Sequence, residues 1–304
     1  MRNRKLVIVD GNNIAYAAYY SYRNLSHKGK LVGTLYGLIS MVRGYIREHN
    51  PEQMVIAWDS SKDKHRLKLL PEYKGTRKEK QEKKLFDREQ FEKQKARAIN
   101  MFMALGIYQT KIEGREADDL IFELVRKYYK KYNIVIVSSD KDFLQLLEYK
   151  NVRIWNPIKR AMITKQNILK YFKVTSDKVV DYLCLTGDSS DNIPKYPGIG
   201  EKNGIKFLDE FGSISSFLEN KQAMYSKIDR KKLLELYKRN RELIDLKYFF
   251  VKYYKGKTKV EFMPRKFKES RFFETCGKYA FYSINDPNYL NPFKKLFYAK
   301  NKDL

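Results

Sequence analysis

Short runs of consecutive apolar residues alternate, through the first half of the chain, with longer stretches in which apolar residues return every three or four positions. The runs are Leu6–Val9, Met54–Trp58, Ile107–Thr110 and Ile134–Val137. Runs of this length, apolar throughout, suit strands buried on both faces. The pattern therefore predicts an α/β fold, a mostly parallel sheet flanked by helices. Between the first two runs, Leu31, Leu35, Leu38, Ile39, Val42 and Ile46 share one face of an amphipathic helix that stops at Asn50-Pro51. Helical spacing recurs from Phe91 to Met103, Ala117 to Tyr129 and Phe143 to Leu147. From Lys62 to Arg97 the apolar pattern thins, and 14 Lys or Arg stand against 7 Asp or Glu, which predicts an insertion over the surface rather than core.

After about residue 160 the strands give way to helical segments at Lys165–Phe172, Ser176–Leu185, Glu201–Phe211, Ser213–Glu219 and Arg230–Leu246. They predict a second, helical subdomain, so that residues 1–160 form the α/β part and 161–304 the helical part. The tail from Tyr248 is aromatic and basic and is broken by Pro264, Pro287 and Pro292. It shows no regular period; Tyr248, Phe249, Phe250, Tyr253 and Tyr254 are expected in the core.

Charge narrows the function. Lys and Arg number 62 against 36 Asp and Glu, a formal charge of +26, far more than solubility requires. A polyanionic partner follows, with nucleic acid ahead of a membrane surface. The first apolar run ends at Asp10, too soon for a signal peptide, and the stretch from Leu31 to Ile46 carries Arg43, so a membrane span is not expected. Two cysteines, Cys184 and Cys276, are too few for a disulfide framework, and a cytoplasmic protein is expected.

In so basic a chain the acids are informative, because several stand where an apolar strand ends. Asp10 follows LVIV, Asp59 follows VIAW, and Asp140 and Asp142 follow IVIVSS. Carboxyl ends of strands line the ligand crevice of an open α/β sheet. GREADDL adds Glu116, Asp118 and Asp119 at a helix start, and TGDSSDN adds Asp188 and Asp191. Any one of these residues is equally at home as a helix cap or turn former. Nine together would repel one another unless cations neutralised them. Oxygen ligands without His or Cys favour Mg²⁺ or Mn²⁺ over Zn²⁺; His27, His49 and His65 have no metal-ligand spacing. Two such ions in a basic protein point to phosphodiester hydrolysis. No nucleophile elbow and no triphosphate-binding glycine loop is present.

VDGNN around Asp10, WDSSKDKHRLKLLPEYKGTR, GREADD, SSDKDF and LTGDSSDNIP, in this order and spacing, resemble the 5′-nuclease superfamily over about residues 5 to 245. The likeness is to phage-type flap endonucleases and to the 5′-3′ exonuclease domain of bacterial DNA polymerase I. It implies a core of the PIN type with a helical arch at about 62–97, and a helix–three-turn–helix at about 187–212. One metal site would comprise Asp10, Asp59, Glu116, Asp118 and Asp119; a second, Asp140, Asp142, Asp188 and Asp191. Lys74 and Arg77 would hold the scissile phosphate, and Tyr73 would stack on a base. Arg66 in the same basic stretch is a further candidate DNA contact. In PGIGEKNG, Gly198, Gly200 and Lys202 would contact duplex phosphate through backbone N–H groups, at a turn where the family also holds K⁺. Lys195-Tyr196 stands where the family has a glycine, and Gly204 weakens the expected start of the next helix.

The expectation is thus a metal-dependent flap endonuclease and 5′-3′ exonuclease of DNA replication, using two ions. It would be a monomer acting on DNA with a free 5′ end and on RNA–DNA hybrids. The alternatives are a branched-DNA or single-strand-binding protein that does not cut, and a PIN-type ribonuclease, which leaves the arch and the Gly198 turn without a use.

Overall fold

The computed structural model describes residues 4–61, 63–75, 86–257 and 259–299. Strands β1 (Lys5–Asp10), β4 (Gln53–Ala57), β5 (Tyr108–Thr110), β6 (Asn133–Val137), β7 (Val152–Asn156) and β8 (Ala161–Ile163) form one sheet in the order β5-β4-β1-β6-β7-β8. β2 (Ser26–His27) and β3 (Lys30–Leu31) make a separate hairpin. All neighbours in the large sheet are parallel except β8, which pairs antiparallel to β7. The four runs expected from the sequence are strands β1, β4, β5 and β6. β7 and β8 have no such run: Arg153 and Asn156 interrupt β7, and β8 is only three residues long.

Alternation along the strands divides the core in two. Leu6, Ile8, Val55, Ala57, Ile134 and Ile136 face one layer, and Val7, Val9, Met54, Ile56, Val135 and Val137 face the other. Each Val, Leu, Ile or Met side chain among them, fully buried, contributes about 1.5–3 kcal/mol. The second layer is built by α1 (Gly11–Ser21), α2 (Gly33–His49) and α4 (Arg88–Ala104). The short helix α3 (Lys64–Leu69) precedes α4 in the chain. The first layer holds α5 (Ala117–Tyr128), the 3-10 helix Lys141–Glu148, and α6 (Val179–Thr186), α7 (Glu201–Phe211), α8 (Ile214–Glu219), α9 (Arg230–Ile244) and α10 (Leu246–Tyr253).

Three expectations change. Arg88–Arg97 is not surface insertion: it is the first half of α4, and Phe91, Gln94 and Ala98 are buried. Sparse apolar residues sufficed because Phe91, Ala98, Met101 and Phe102 share one face. Lys165–Phe172 forms only a 3-10 turn at Ile168–Lys170. The tail does not stay with the helical part. It returns as α11 (Glu269–Tyr279) and α12 (Asn291–Phe297), placing Phe272, Cys276, Phe281, Leu290 and Phe293 in the second layer beside α2 and α4. Phe249, Phe250 and Tyr254 are core, as expected, whereas Tyr248 is exposed. Among the described residues no helix is long and apolar enough to cross a membrane.

Candidate active site

β1 and its two neighbours, β4 and β6, end side by side; β1 ends in an acid, and an acid stands within three residues after β4 and β6. The sheet order changes direction between β1 and β6, the place where open α/β sheets bind ligands. Asp10, the last residue of β1, caps α1: its carboxylate accepts from Asn13 N–H and from Ser138 Oγ, both at 3.0 Å. Asp59 accepts from Ala117 N–H at 2.7 Å and from the Asn12 side-chain amide, which ties β4 to the start of α5. Asp140 caps the 3-10 helix by accepting from Asp142 N–H at 2.9 Å. Gly11 packs so closely under Trp58 that a Cβ there would lie 2.4 Å from the indole, which is why a glycine follows Asp10.

The other acids arrive from the first-layer helices. Glu116 and Asp118 open α5, and Asp188 and Asp191 lie on the loop after α6. That loop starts at Gly187, φ +71°, where a Cβ would lie 2.6 Å from Ile193 O. It then folds on itself through reciprocal Asp188–Ile193 backbone hydrogen bonds. One oxygen from each of Asp142, Asp188 and Asp191 lies within 4.8 Å of the others.

These carboxylates feel one another. Burial, with Asp59 and Asp140 adding repulsion, pushes the Asp10 carboxyl up to about 7. Asp118 is raised by burial and by Asp140, Asp10 and Asp59, against the opposing Lys74 charge. Asp142 is raised by burial and then by Asp140, Asp191 and Asp188. Asp140 interacts with acids of both groups, so the division between two separate sites is less sharp than the sequence implied. Asp142 Oδ1 is buried with no hydrogen-bond partner among the described residues. An orphaned carboxylate oxygen and a donor set of oxygen alone fit a hard divalent cation.

Lys74 is the counter-charge. It is 8% exposed, and its Nζ is 2.6 Å from Glu116, 3.7 Å from Asp191 and 3.8 Å from Asp118. Its backbone is left-handed, φ +53°, and its N–H donates to Asp191 O at 2.9 Å. Burial opposes the ammonium charge, yet Tyr73 and the Glu116, Asp191 and Asp118 carboxylates hold Lys74 well above the ordinary lysine range. Glu116 in turn is favoured as carboxylate: burial would raise it, but Lys74, Arg66 and the Tyr73 hydroxyl bring it down to about 2.

Three assignments made from the sequence are corrected. Tyr73 is 2% exposed and its hydroxyl reaches Glu116 at 3.1 Å and Asp191 at 3.3 Å, so its ring does not face a base. Arg66 is 1% exposed and grips both Asp119 oxygens at 2.7 and 2.8 Å, which removes it from the DNA-facing surface. Asp119, completely buried, spends both oxygens on that fork, so it is placed as the partner of Arg66 rather than among the open carboxylates. Arg77 lies outside the described residues. Lys141, 3.2 Å from Asp188, and Ser190, which donates to Asp188 at 2.6 Å, also belong to the site; the first stands inside SSDKDF and the second inside TGDSSDN.

Apart from the cluster, Gly198 (φ +76°) and Gly200 sit on an open turn, with Lys202 in the first turn of the helix that follows; a Cβ at either glycine would meet no atom within 4 Å. Tyr196, of the Lys195-Tyr196 pair ahead of the turn, anchors it by donating its N–H to Leu185 O and accepting Asp229 N–H at its hydroxyl. α7 does begin at Glu201. Gly204 allows it to approach α6, since a Cβ there would stand 3.0 Å from Thr186 Cγ2.

Comparison with known proteins agrees with this geometry. Residues 5–174 match the 5′-3′ exonuclease N-terminal resolvase-like domain, and residues 174–269 the 5′-3′ exonuclease C-terminal SAM fold. A 5′-3′ exonuclease of Aquifex aeolicus is 32% identical over 254 residues, 83% of this chain and 82% of that protein. DNA polymerase I of Caldicellulosiruptor bescii is 33% identical over 235 residues, 75% of this chain but only 27% of the polymerase. A structure of T5 5′-exonuclease with bound zinc superimposes with a TM-score of 0.71 at 26% identity, covering 82% of this chain and 92% of that one. A bacteriophage T5 flap endonuclease in complex with DNA and metal ions gives 0.70 at 26% identity, with the same coverage. The chain belongs to the 5′-3′ exonuclease family, a family of metal-dependent nucleases.

Proposed function

We propose that the protein is a structure-specific 5′ nuclease that cuts branched or 5′-ended DNA, as flap endonuclease and 5′-3′ exonuclease, and also accepts RNA in RNA–DNA hybrids. The carrying observation is Lys74: a buried ammonium held among Glu116 and Asp118 at the start of α5 and Asp191 on the loop after α6. A cation so placed meets a phosphate that approaches the acids.

Asp142, Asp188 and Asp191 would hold one Mg²⁺ or Mn²⁺ ion, and Asp10, Asp118 and Asp140 a second, with Asp59 and Glu116 shaping the cluster. The bound ions would supply activation of water and neutralisation of charge on the phosphate and the departing oxygen. The remaining work belongs to the chain. Lys74 steadies the scissile phosphate. Tyr73 holds Glu116 and Asp191 in register through one hydroxyl. The turn at Gly198 and Gly200, with Lys202 at the start of α7, offers backbone N–H groups to the duplex without reading sequence, and is the candidate K⁺ site. Arg77 and the basic segment 76–85 are proposed to meet the 5′ strand. The protein is proposed to act as a cytoplasmic monomer.

A 5′-flap duplex with a labelled 5′ arm, incubated with Mg²⁺ and separately with a chelator, tests this. The expected result is a short labelled product only with metal; tight binding without a metal-dependent product would make it a branched-DNA-binding protein instead.

A further inference from the structure

Arg66, withdrawn from the DNA-facing surface, lies directly beneath the carboxylates. Its guanidinium holds Asp119 by two parallel hydrogen bonds, sits 3.8 Å from the Phe249 ring centroid and 3.8 Å from Glu116 Oε2. That same Glu116 oxygen receives Lys74 Nζ at 2.6 Å. Arg66 belongs to α3, and α3 leads within a few residues to Tyr73 and Lys74.

The foot of α3 is clamped on the same side by α10 and the residue after it. Asp63 caps α3 by accepting His65 N–H at 2.7 Å and Arg66 N–H at 3.2 Å, and its second oxygen accepts the Tyr254 hydroxyl. His65 stacks on Tyr253, centroids 4.1 Å apart. Arg115 lies 4.2 Å from the Tyr254 ring centroid and pairs with Glu123 at 2.7 Å. A buried polar seam therefore joins α10, α3 and α5 under the cluster. Stability alone does not call for such a seam, because apolar residues of equal volume are usually as favourable as a buried ion pair. A planar two-bond fork does supply fixed direction.

Resting on the nuclease assignment above, we propose that Arg66, locked by Asp119, is a positioning residue for Lys74. It fixes Glu116 and anchors the start of the segment that delivers the lysine, without touching DNA or metal itself. The helical part of the molecule, through Phe249, Tyr253 and Tyr254, thereby bears on the placement of the catalytic cation.

The test is cleavage of the 5′-flap duplex by the full chain, with turnover and KM separated, for Arg66→Lys and for the double variant Arg66→Met with Asp119→Leu, each with and without Lys74→Ala. Arg66→Lys keeps the charge and loses the fork; its turnover is expected to fall about tenfold with KM within about twofold. The double variant, folded by circular dichroism, is expected to lose about a hundredfold in turnover. Lys74→Ala is then expected to cost far less in either background than in the parent, because the two changes act through one group. Turnover equal to the parent, a KM increase that accounts for the loss, or a full additional penalty from Lys74→Ala would overturn the proposal. If the double variant does not fold, the Arg66→Lys cycle decides. A parent that leaves the flap intact defeats the nuclease assignment and this role with it; a cutting parent matched by its variants defeats the role alone.

Discussion

Lys74 concentrates the chemistry of the cluster in one side chain. Replacing it by Ala removes the only cation seen within 4 Å of Glu116, Asp118 and Asp191 together among the described residues. Turnover on a 5′-flap duplex is expected to fall by about 10²–10³-fold while affinity for the uncut duplex, measured in Ca²⁺, changes less than about threefold. Equal losses in both would make Lys74 a binding residue. His49 gives a second residue-scale outcome, far from the acids. Burial, with the nearby Lys5 charge adding, brings its imidazole down to about 4. Between pH 6.5 and 4 the unfolded chain therefore takes up a proton that the folded chain refuses. The contribution is complete above about 6.5 and is lost as pH falls, amounting to about 1–2 kcal/mol by pH 5. Urea midpoints at pH 7 and pH 5 should differ more for the parent than for His49→Phe. The identity of the site residues was largely legible, because DGNN, EADD, SSDKDF and GDSSDN stand at ends of apolar patterns. Their partners were not. Nothing in KHRLKLLPEYKG distinguishes an Arg that faces solvent from one that faces Asp119, since that depends on α3 and α5 meeting across 53 residues.

At the scale of elements, the loop after α6 carries two of the three closest carboxylates, and Gly187 sets its path. Gly187→Ala would force a side chain into a left-handed backbone and against Ile193 O and Lys195 N. The expected cost is about 1–3 kcal/mol, read as a lower thermal midpoint, together with a raised Mn²⁺ requirement for cleavage. A variant with unchanged metal requirement would show that the loop tolerates a different path. The longer helices were well read from period: α2 stops at the expected Asn50, and α7 spans Glu201–Phe211 as expected. β7 and β8 leave a weak pattern because Arg153 and Asn156 interrupt the apolar residues of β7, and the edge strand β8 is only Ala161–Ile163. The tail was lost for a different reason. α11 and α12 are short and separated by 3-10 turns, so their apolar residues show no sustained period even though Phe272, Phe281 and Phe293 fill the core.

For the whole molecule the basic surface sets the response to salt. A chain with 62 Lys and Arg against 36 acids, eight of those acids assigned to the cluster, presents an even more positive surface than its net charge of +26 implies. Affinity for duplex DNA is expected to fall with a log–log slope of about −3 or steeper between 50 and 200 mM KCl, measured by fluorescence anisotropy. A flat response would remove phosphate contacts as the basis of binding. The cluster, by contrast, is a concentrated negative patch in that positive field. Its acids come from residues 10 to 191, brought together by strand order and by helices that fold back over one face of the sheet. Such a patch repels phosphate until divalent cations reverse its sign, which makes metal the switch between a binding surface and a cutting site. The direct measurement is anomalous diffraction from a crystal soaked in Mn²⁺. One peak bounded by Asp142, Asp188 and Asp191 and another beside Asp10, Asp118 and Asp140 is the predicted result; ordered carboxylates with no ion among them would contradict the account.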